Sequence, residues 1–358
     1  MYAKKLAVRQ RKRDETAAEG LKAINFYERN VFNMSIKYQV LKLLEDNKGS
    51  YISGNYIAGE LSVSRASVWK TIVTLRSEGY GISAVTNKGY CLEKSGDLLS
   101  TEGILRHIKT EGVFIVETKK LVTSTNTLLL TEAARGAPEG YVLAAEAQTH
   151  GKGRQGRGFF SPEGHGAYFS VVLRPEKHRA NDAHLITAAA AVAAARAIEE
   201  IFNVKVGIKW VNDLYVKGKK ICGILTEATV GMENNVIDSA VLGIGINVTK
   251  AAEGYPQELK GIADAIANRT QGRDNERCRL IAATLDNFWD YYKDLSKRAF
   301  LDEYRKRSIL LGKTVSVQVA DGAKSAKVLS VDDECGLVVR YDDGNIATLN
   351  SGEVSVGI

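Results

Sequence analysis

Gly151-Lys152-Gly153-Arg154-Gln155-Gly156-Arg157-Gly158 sets four glycines among three cationic side chains and contains no acid. Glycine permits positive φ and lets backbone N–H groups approach a ligand, while Lys and Arg supply charge-assisted bonds to carboxylate or phosphate oxygens. Composition alone leaves the stretch as either an anion cradle or a basic surface loop. It contains G-x-G-x-x-G at Gly151, Gly153 and Gly156, but a dinucleotide-binding fold needs a helix to begin there. Instead Phe159-Phe160-Ser161-Pro162-Glu163-Gly164-His165-Gly166 follows, with a proline and two more glycines. A Walker A loop fails as well, because Arg157 and Gly158 stand where Lys and Ser/Thr belong. Neither common nucleotide fold houses this loop.

Working outward, residues 141–147 form an apolar strand that delivers Gln148 to the loop, so the loop sits at a strand end. Before it, 113–117 reads as a strand and Ser124-Thr125-Asn126 precedes a helix over 128–134. After it come a strand at 167–173, Asn181-Asp182 as the cap of an alanine-rich helix, and a strand at 206–210 running into Asn212-Asp213. A strand at 214–216, the turn Lys217-Gly218-Lys219 and a strand at 221–227 follow. A strand over 240–248 carries Gly243, Gly245 and Asn247; such glycines admit a ligand or another backbone, or mark a bulge. Strands alternating with helices describe a mixed α/β domain. Residues 277–307 read as one amphipathic helix with Leu280, Leu285, Phe288, Trp289 and Tyr292 as its core stripe. Short strands at 315–319, 326–331, 337–341 and 346–349, with turns at Asp321-Gly322, Cys335-Gly336 and Asp343-Gly344, suggest a small closed β-barrel.

Towards the N-terminus, Ile36, Val40, Leu43 and Leu44 recur at helical spacing. Ser53 caps a short helix through Ile57 and Leu61, Ser62-Val63 turns, and Ser64 caps a longer helix with Val68, Ile72 and Leu75 facing inward. That is helix-turn-helix spacing. Ser64, Arg65, Ser67, Lys70, Thr71 and Thr74 offer short polar or cationic groups to a DNA groove. Runs at 82–86 and 90–93, joined by Asn87-Lys88-Gly89, add a wing; a helical packing module without DNA is the alternative. Residues 1–33, opening with Lys4, Lys5, Arg9, Arg11, Lys12 and Arg13, lack a signal peptide's apolar core and are either an extension or a basic arm.

The whole chain has 358 residues, enough for two or three domains, and a net charge of +7 with pI near 9.0, which favours a polyanionic partner. Its four cysteines contain no C-x-x-C pair and its five histidines do not cluster with them, which argues for a reducing, cytoplasmic setting and against zinc. No apolar run reaches membrane-spanning length, so no membrane partner is expected.

Together, Ser124-Thr125-Asn126, Gln148 through Gly158, Lys209-Trp210-Val211-Asn212-Asp213, Lys220 through Leu225 and Gly243 through Asn247 resemble, in order, the motifs of the bifunctional biotin protein ligases that also repress the biotin operon. The resemblance spans about residues 35–358. It implies an α+β multidomain chain: a winged helix-turn-helix (34–96), a central mixed α/β ligase domain of class II synthetase type (97–308) and an SH3-like barrel (309–358), with 1–33 outside. It also implies activation of biotin with ATP and Mg²⁺ to biotinyl-5′-AMP and transfer to a lysine of a biotin carboxyl carrier protein, such as an acetyl-CoA carboxylase subunit. Operator DNA and a ligand-induced homodimer are the other implied partners. Site residues carry over as Ser124, Thr125, Asn126, Gln148, Gly151, Lys152, Gly153, Arg154 and Lys220 for biotin, and Arg154, Arg157, Asp213 and Asn247 for ATP. Lys220, Arg154 and Arg157 are the implied catalytic groups; no resident metal site is implied. Lys152 stands where some members have Arg and keeps the charge without the bidentate fork. Val211 stands where many have Pro, and His150 replaces a small residue. The competing functions are a lipoate-type acyl ligase and a ligand-binding repressor without transfer activity.

Overall fold

The computed structural model describes residues 36–93, 96–175, 182–230, 237–251, 253–267, 274–319, 322–350 and 354–356; the 1–33 extension, Asn181 and Asp321 lie outside it. Helix α1 (Ile36–Asp46) buries Val40, Leu41 and Leu44. Ile36 is exposed and Leu43 only half-buried, because at 3.6 residues per turn both lie about a quarter-turn off the centre of that face. Helices α2 (Gly54–Glu60) and α3 (Arg65–Ser77) begin at caps as the sequence indicates: Ser53 Oγ accepts from Tyr56 N at 3.0 Å and Ser64 Oγ from Ser67 N at 3.1 Å. Each such cap stabilises its helix by about 1 kcal/mol. Ser62 makes the turn between them with φ 53°. Strands β1 (Ile82–Val85) and β2 (Gly89–Leu92) pair as the wing, and Val68, Ile72 and Leu75 close the core of the unit.

Helix α4 (Thr101–His107) leads into the central domain, which runs β3 (Ile115–Val122), α5 (Thr125–Ala134), β4 (Tyr141–Gln148), β5 (Gly166–Leu173), α6 (Ala183–Phe202), β6 (Gly207–Lys209), β7 (Asp213–Val216), β8 (Lys219–Val230), β9 (Ile237–Asn247), α7 (Glu276–Tyr292) and α8 (Leu301–Arg307). One seven-stranded mixed sheet has the order β3-β4-β5-β9-β8-β7-β6; only β3 and β4, linked by α5, are parallel. Strand β3 starts later than expected and continues through Lys119 and Lys120, which an edge strand tolerates by pointing lysines at water. Helix α6 is buried along nearly its whole length between the sheet and α7, where alanines permit close approach. Asp182 stands at its start without a capping side-chain bond.

The single helix expected over 277–307 is two helices. Between them lie a 3₁₀ turn at Leu295–Lys297 and Arg298 with φ 51°. Ser296 Oγ donates to Asp294 Oδ1 at 3.2 Å, a local bond of the kind that favours a turn over continued helix. Trp289 is only half-buried and meets Phe114 edge-on at 5.6 Å.

Strands β10 (Thr314–Val319), β11 (Gly322–Val331), β12 (Leu337–Tyr341), β13 (Ile346–Leu349) and β14 (Val354–Val356) form the C-terminal antiparallel sheet, ordered β13-β12-β11-β10-β14. Short β14 was not expected, since Val354-Ser355-Val356 is too brief a run for alternation to register. This sheet shares one apolar core with the central domain. Trp210 Nε1 donates to Cys335 O at 2.8 Å and Tyr304 Oη to Val211 O at 3.0 Å, tying the segment before Asp213 to the C-terminal unit and α8. The winged helix meets the central domain through polar contacts. Lys37 pairs with Glu102, Arg106 with Asp46, and Lys48 with Asp274.

Candidate functional site

Strand alternation builds the floor of the site. On β8, Cys222, Ile224 and Thr226 fall on one face, where Thr226 bonds Thr187 of α6 at 2.7 Å; Gly223, Leu225 and Glu227 fall on the other. Gly223 pairs in register with Gly245 of β9 and Leu225 with Gly243, with no register shift there, so these glycines do not mark a bulge. Their missing side chains admit neighbours of the same chain. Asn126 occupies the space a Cβ at position 243 would take, and the Phe159 ring lies over Gly245 and Gly223.

The wall is the N-terminus of α5. Ser124 is buried and caps the helix at Thr127 N, 3.4 Å away. Thr125 donates to Gln148 Oε1 from N (2.9 Å) and Oγ1 (3.2 Å), and Gln148 Nε2 donates to Ser161 Oγ at 2.8 Å. Ser170 Oγ lies 2.7 Å from Thr125 Oγ1 and 2.6 Å from Asn126 Oδ1, while Asn126 Nδ2 donates to Glu227 Oε2 at 2.9 Å. This network fixes which way the Asn126 amide points.

The glycine-rich loop folds as a tight hairpin over this floor. Gly153 N donates to Arg157 O and Phe159 N to Gly151 O, each at 2.7 Å, around a 3₁₀ turn at Arg154–Gly156 in which Gln155 has φ 54°. Lys152 Nζ lies 3.5 Å from Glu227 Oε1, and Arg154 Nη1 donates to Asn212 Oδ1 at 3.2 Å. The cavity enclosed by Ser124, Thr125, Asn126, Gln148, Lys152 and Phe159 above the glycine floor holds only about 20 Å³.

Geometry separates the neighbouring lysines Lys219 and Lys220. Lys219 Nζ reaches back to Gly261 O, whereas Lys220 Nζ pairs with Asp213 Oδ1 at 2.7 Å, and its Cε lies 3.5 Å from the place of a Gly223 Cβ. Burial, then the Asp213 charge, pushes the Tyr215 phenol beside this pair up to about 12. Burial likewise raises the Cys222 thiol, leaving it inert.

The structure thus gathers Ser124, Thr125, Asn126, Gln148 and Lys152 around one cavity bordered by the loop with Gly151 and Gly153, and sets Lys220 with Asp213 beside its floor. Arg157 and Asn247 do not line this cavity. Arg157 is on the exposed rim, and Asn247 is buried where its Nδ2 donates to Asp264 O at 3.2 Å. Phe159, Ser161, Ser170 and Glu227 were not singled out from the sequence. Glu227 was legible in principle, since Gly223-x-Leu225-x-Glu227 alternates onto one face.

On α3, Arg65 and Lys70 are exposed. Ser64 and Ser67 are engaged in the cap, and the Thr71 and Thr74 hydroxyls donate to Ser67 O and Lys70 O at 2.9 and 3.1 Å. Among the described residues no group of three or more His, Cys, Asp or Glu side chains is placed to hold a metal ion, and no helix is long and apolar enough to cross a membrane.

Residues 119–247 match the Biotin/lipoate A/B protein ligase family, 37–91 an HTH domain and 310–357 the Biotin protein ligase C terminal domain. Fold, site and these matches define a biotin protein ligase that carries a helix-turn-helix domain. Within that class the chain belongs to the bifunctional ligase/repressor BirA family. It is 33% identical over 328 residues to the Bifunctional ligase/repressor BirA of Bacillus spizizenii, covering 90% of this chain and 99% of that protein. The BirA of Escherichia coli K12 is 27% identical over 319 residues, covering 86% and 94%. Among solved structures, the biotin protein ligase of Aquifex aeolicus in complex with biotin and ATP superposes with a TM-score of 0.56 at 28% identity, covering 68% of this chain and 98% of that one.

Proposed function

We propose that the protein joins biotin to ATP and transfers the biotinyl group to a lysine of a biotin carboxyl carrier protein, and that with ligand bound it represses biotin genes. In the first step the biotin carboxylate attacks the α-phosphorus of ATP, giving biotinyl-5′-AMP and releasing pyrophosphate. In the second the carrier amine attacks the acyl carbon and AMP leaves. The observation that carries this reading is the cavity itself, where amide and hydroxyl groups surround a glycine floor beside the Lys220–Asp213 pair and beneath a cationic loop.

Ser124, Thr125, Asn126 and Gln148 offer donors and acceptors to the ureido group, and Gly151, Lys152 and Gly153 cover it. Lys220 faces the carboxyl or acyl oxygen, where its charge stabilises the oxygen as negative charge grows. Arg154 and Arg157 screen carboxylate from polyphosphate, and Asp213 and Asn247 complete the nucleotide end. No side-chain nucleophile is required. Mg²⁺ fits as an ion carried on the nucleotide phosphates, since Asp213 is already paired with Lys220. Ser64, Arg65, Ser67, Lys70, Thr71 and Thr74 form the operator-facing side of α3. Binding of the adenylate promotes dimerisation, so that two winged helices reach two half-sites. The working divisions are 34–96, 97–308 and 309–358, in a cytoplasmic protein.

Pyrophosphate release with biotin or with lipoate, for wild type and Lys220→Ala, tests the site. Release with biotin alone, lost in the variant, is expected; release driven by lipoate or undiminished in the variant contradicts the assignment.

A further inference from the structure

Helix α3 carries two apolar stripes and buries only one. Val68, Ile72 and Leu75 fill the core of the winged helix. Ala66, Trp69 and Val73, spaced i, i+3 and i+7 on the outward arc, are exposed, Trp69 to 58% and Val73 to 44%. Leaving an indole in water on a helix that already has a complete core points to a partner surface.

The chemistry around the stripe selects the partner. Arg65 and Lys70 are exposed on the same helix, which suits a polyanion and disfavours an apolar protein face. The Thr71 and Thr74 hydroxyl protons are given to backbone carbonyls, so these residues have no proton left to donate to a base edge. Alongside its cations and the Ser64 and Ser67 hydroxyls at its start, α3 offers a groove apolar surface. The apolar group on a base edge in the major groove is the thymine C5 methyl.

We propose that Trp69, with Val73 one turn on, reads thymine methyl groups in the major groove, making T at defined operator positions a determinant of specificity. This rests on the DNA-binding reading above. Arg65 and Lys70 supply attraction to phosphates, while the apolar pair supplies discrimination at those steps.

The test uses the full-length protein with biotin, ATP and Mg²⁺. Duplexes are enriched from a random-sequence pool, then resynthesised with deoxyuridine replacing thymidine one position at a time, which removes a single methyl group. At one or two positions per half-site, uracil should weaken binding about 3- to 5-fold, the worth of one buried methyl. Trp69→Ala, which leaves the core untouched, should bind thymine and uracil duplexes equally at those positions, and Trp69→Phe should restore part of the difference. Lys70→Ala should weaken both duplexes alike. An enriched duplex with no uracil effect, or a Trp69→Ala protein that keeps the wild-type ratio, overturns the thymine reading while leaving DNA binding intact. Enrichment of no duplex at all overturns both.

Discussion

Gly243→Ala probes the site at its tightest point. A Cβ there falls inside the van der Waals surface of Asn126 Oδ1 and lies 2.7 Å from Asn126 Cγ. Asn126 is 4% exposed and held by Ser170, Glu227 and the Leu225 carbonyl, so it cannot swing aside without breaking bonds. Overpacking of this kind costs about 1–3 kcal/mol, and disturbing a buried hydrogen bond costs about 1–3 kcal/mol more. If about 2 kcal/mol of that falls on ligand binding, biotin affinity drops roughly 30-fold. Two neighbours calibrate the effect. A Cβ at Gly245 comes 2.5 Å from the end of the Phe159 ring, which can rotate away, and one at Gly223 comes only within 3.1 Å of it. Isothermal titration with biotin should therefore rank the losses Gly243→Ala, then Gly245→Ala, then Gly223→Ala. A Gly243→Ala protein that binds biotin within threefold of wild type, or a reversed order, refutes the reasoning.

Further outcomes follow from other contacts. Glu227→Ala removes the acceptor of Asn126 Nδ2 and the partner of Lys152; the biotin KM should rise about tenfold with a smaller change in kcat. Glu227→Gln keeps an acceptor and should recover part of the loss, and equal defects in both variants would contradict the positioning role. At the winged-helix junction, burial first, then Arg106 and Arg279, lower the His107 pKa against the opposing pull of Glu45 and Asp274, and its Nε2 is buried without a partner. The fold therefore favours the neutral ring. The stability this contributes is complete above the unfolded-state pKa of about 6.5 and is lost as pH falls towards the lowered folded value. Melting curves between about pH 7.5 and 5 should show a smaller loss for His107→Gln than for wild type, and parallel losses would contradict this. Ser64→Ala removes the cap of α3 and should destabilise the winged helix by about 1 kcal/mol in denaturant unfolding, with ligase activity unchanged.

Much of the architecture is legible in local chemistry. Ser53 and Ser64 cap the helices they precede, and β12 and β13 fall at the residues their alternation marks. The break after Tyr292 is hidden because the apolar spacing continues through it while a short-range Asp294–Ser296 contact turns the chain. Lys220 is separated from Lys219 in the sequence only by resemblance; the direction each side chain takes is a tertiary fact. Phe159 reads as part of a loop, and only the paired glycines of β8 and β9 give its ring a place to lie. Glu227 becomes visible once register puts it on the same face as Gly223.

The most direct measurement of the central claim is the mass of a biotin carboxyl carrier domain after incubation with the protein, biotin, ATP and Mg²⁺. A gain of one biotinyl group, absent when the carrier's acceptor lysine is replaced or when Lys220→Ala is used, is the predicted result. An unmodified carrier in the presence of wild-type protein and all substrates would contradict it.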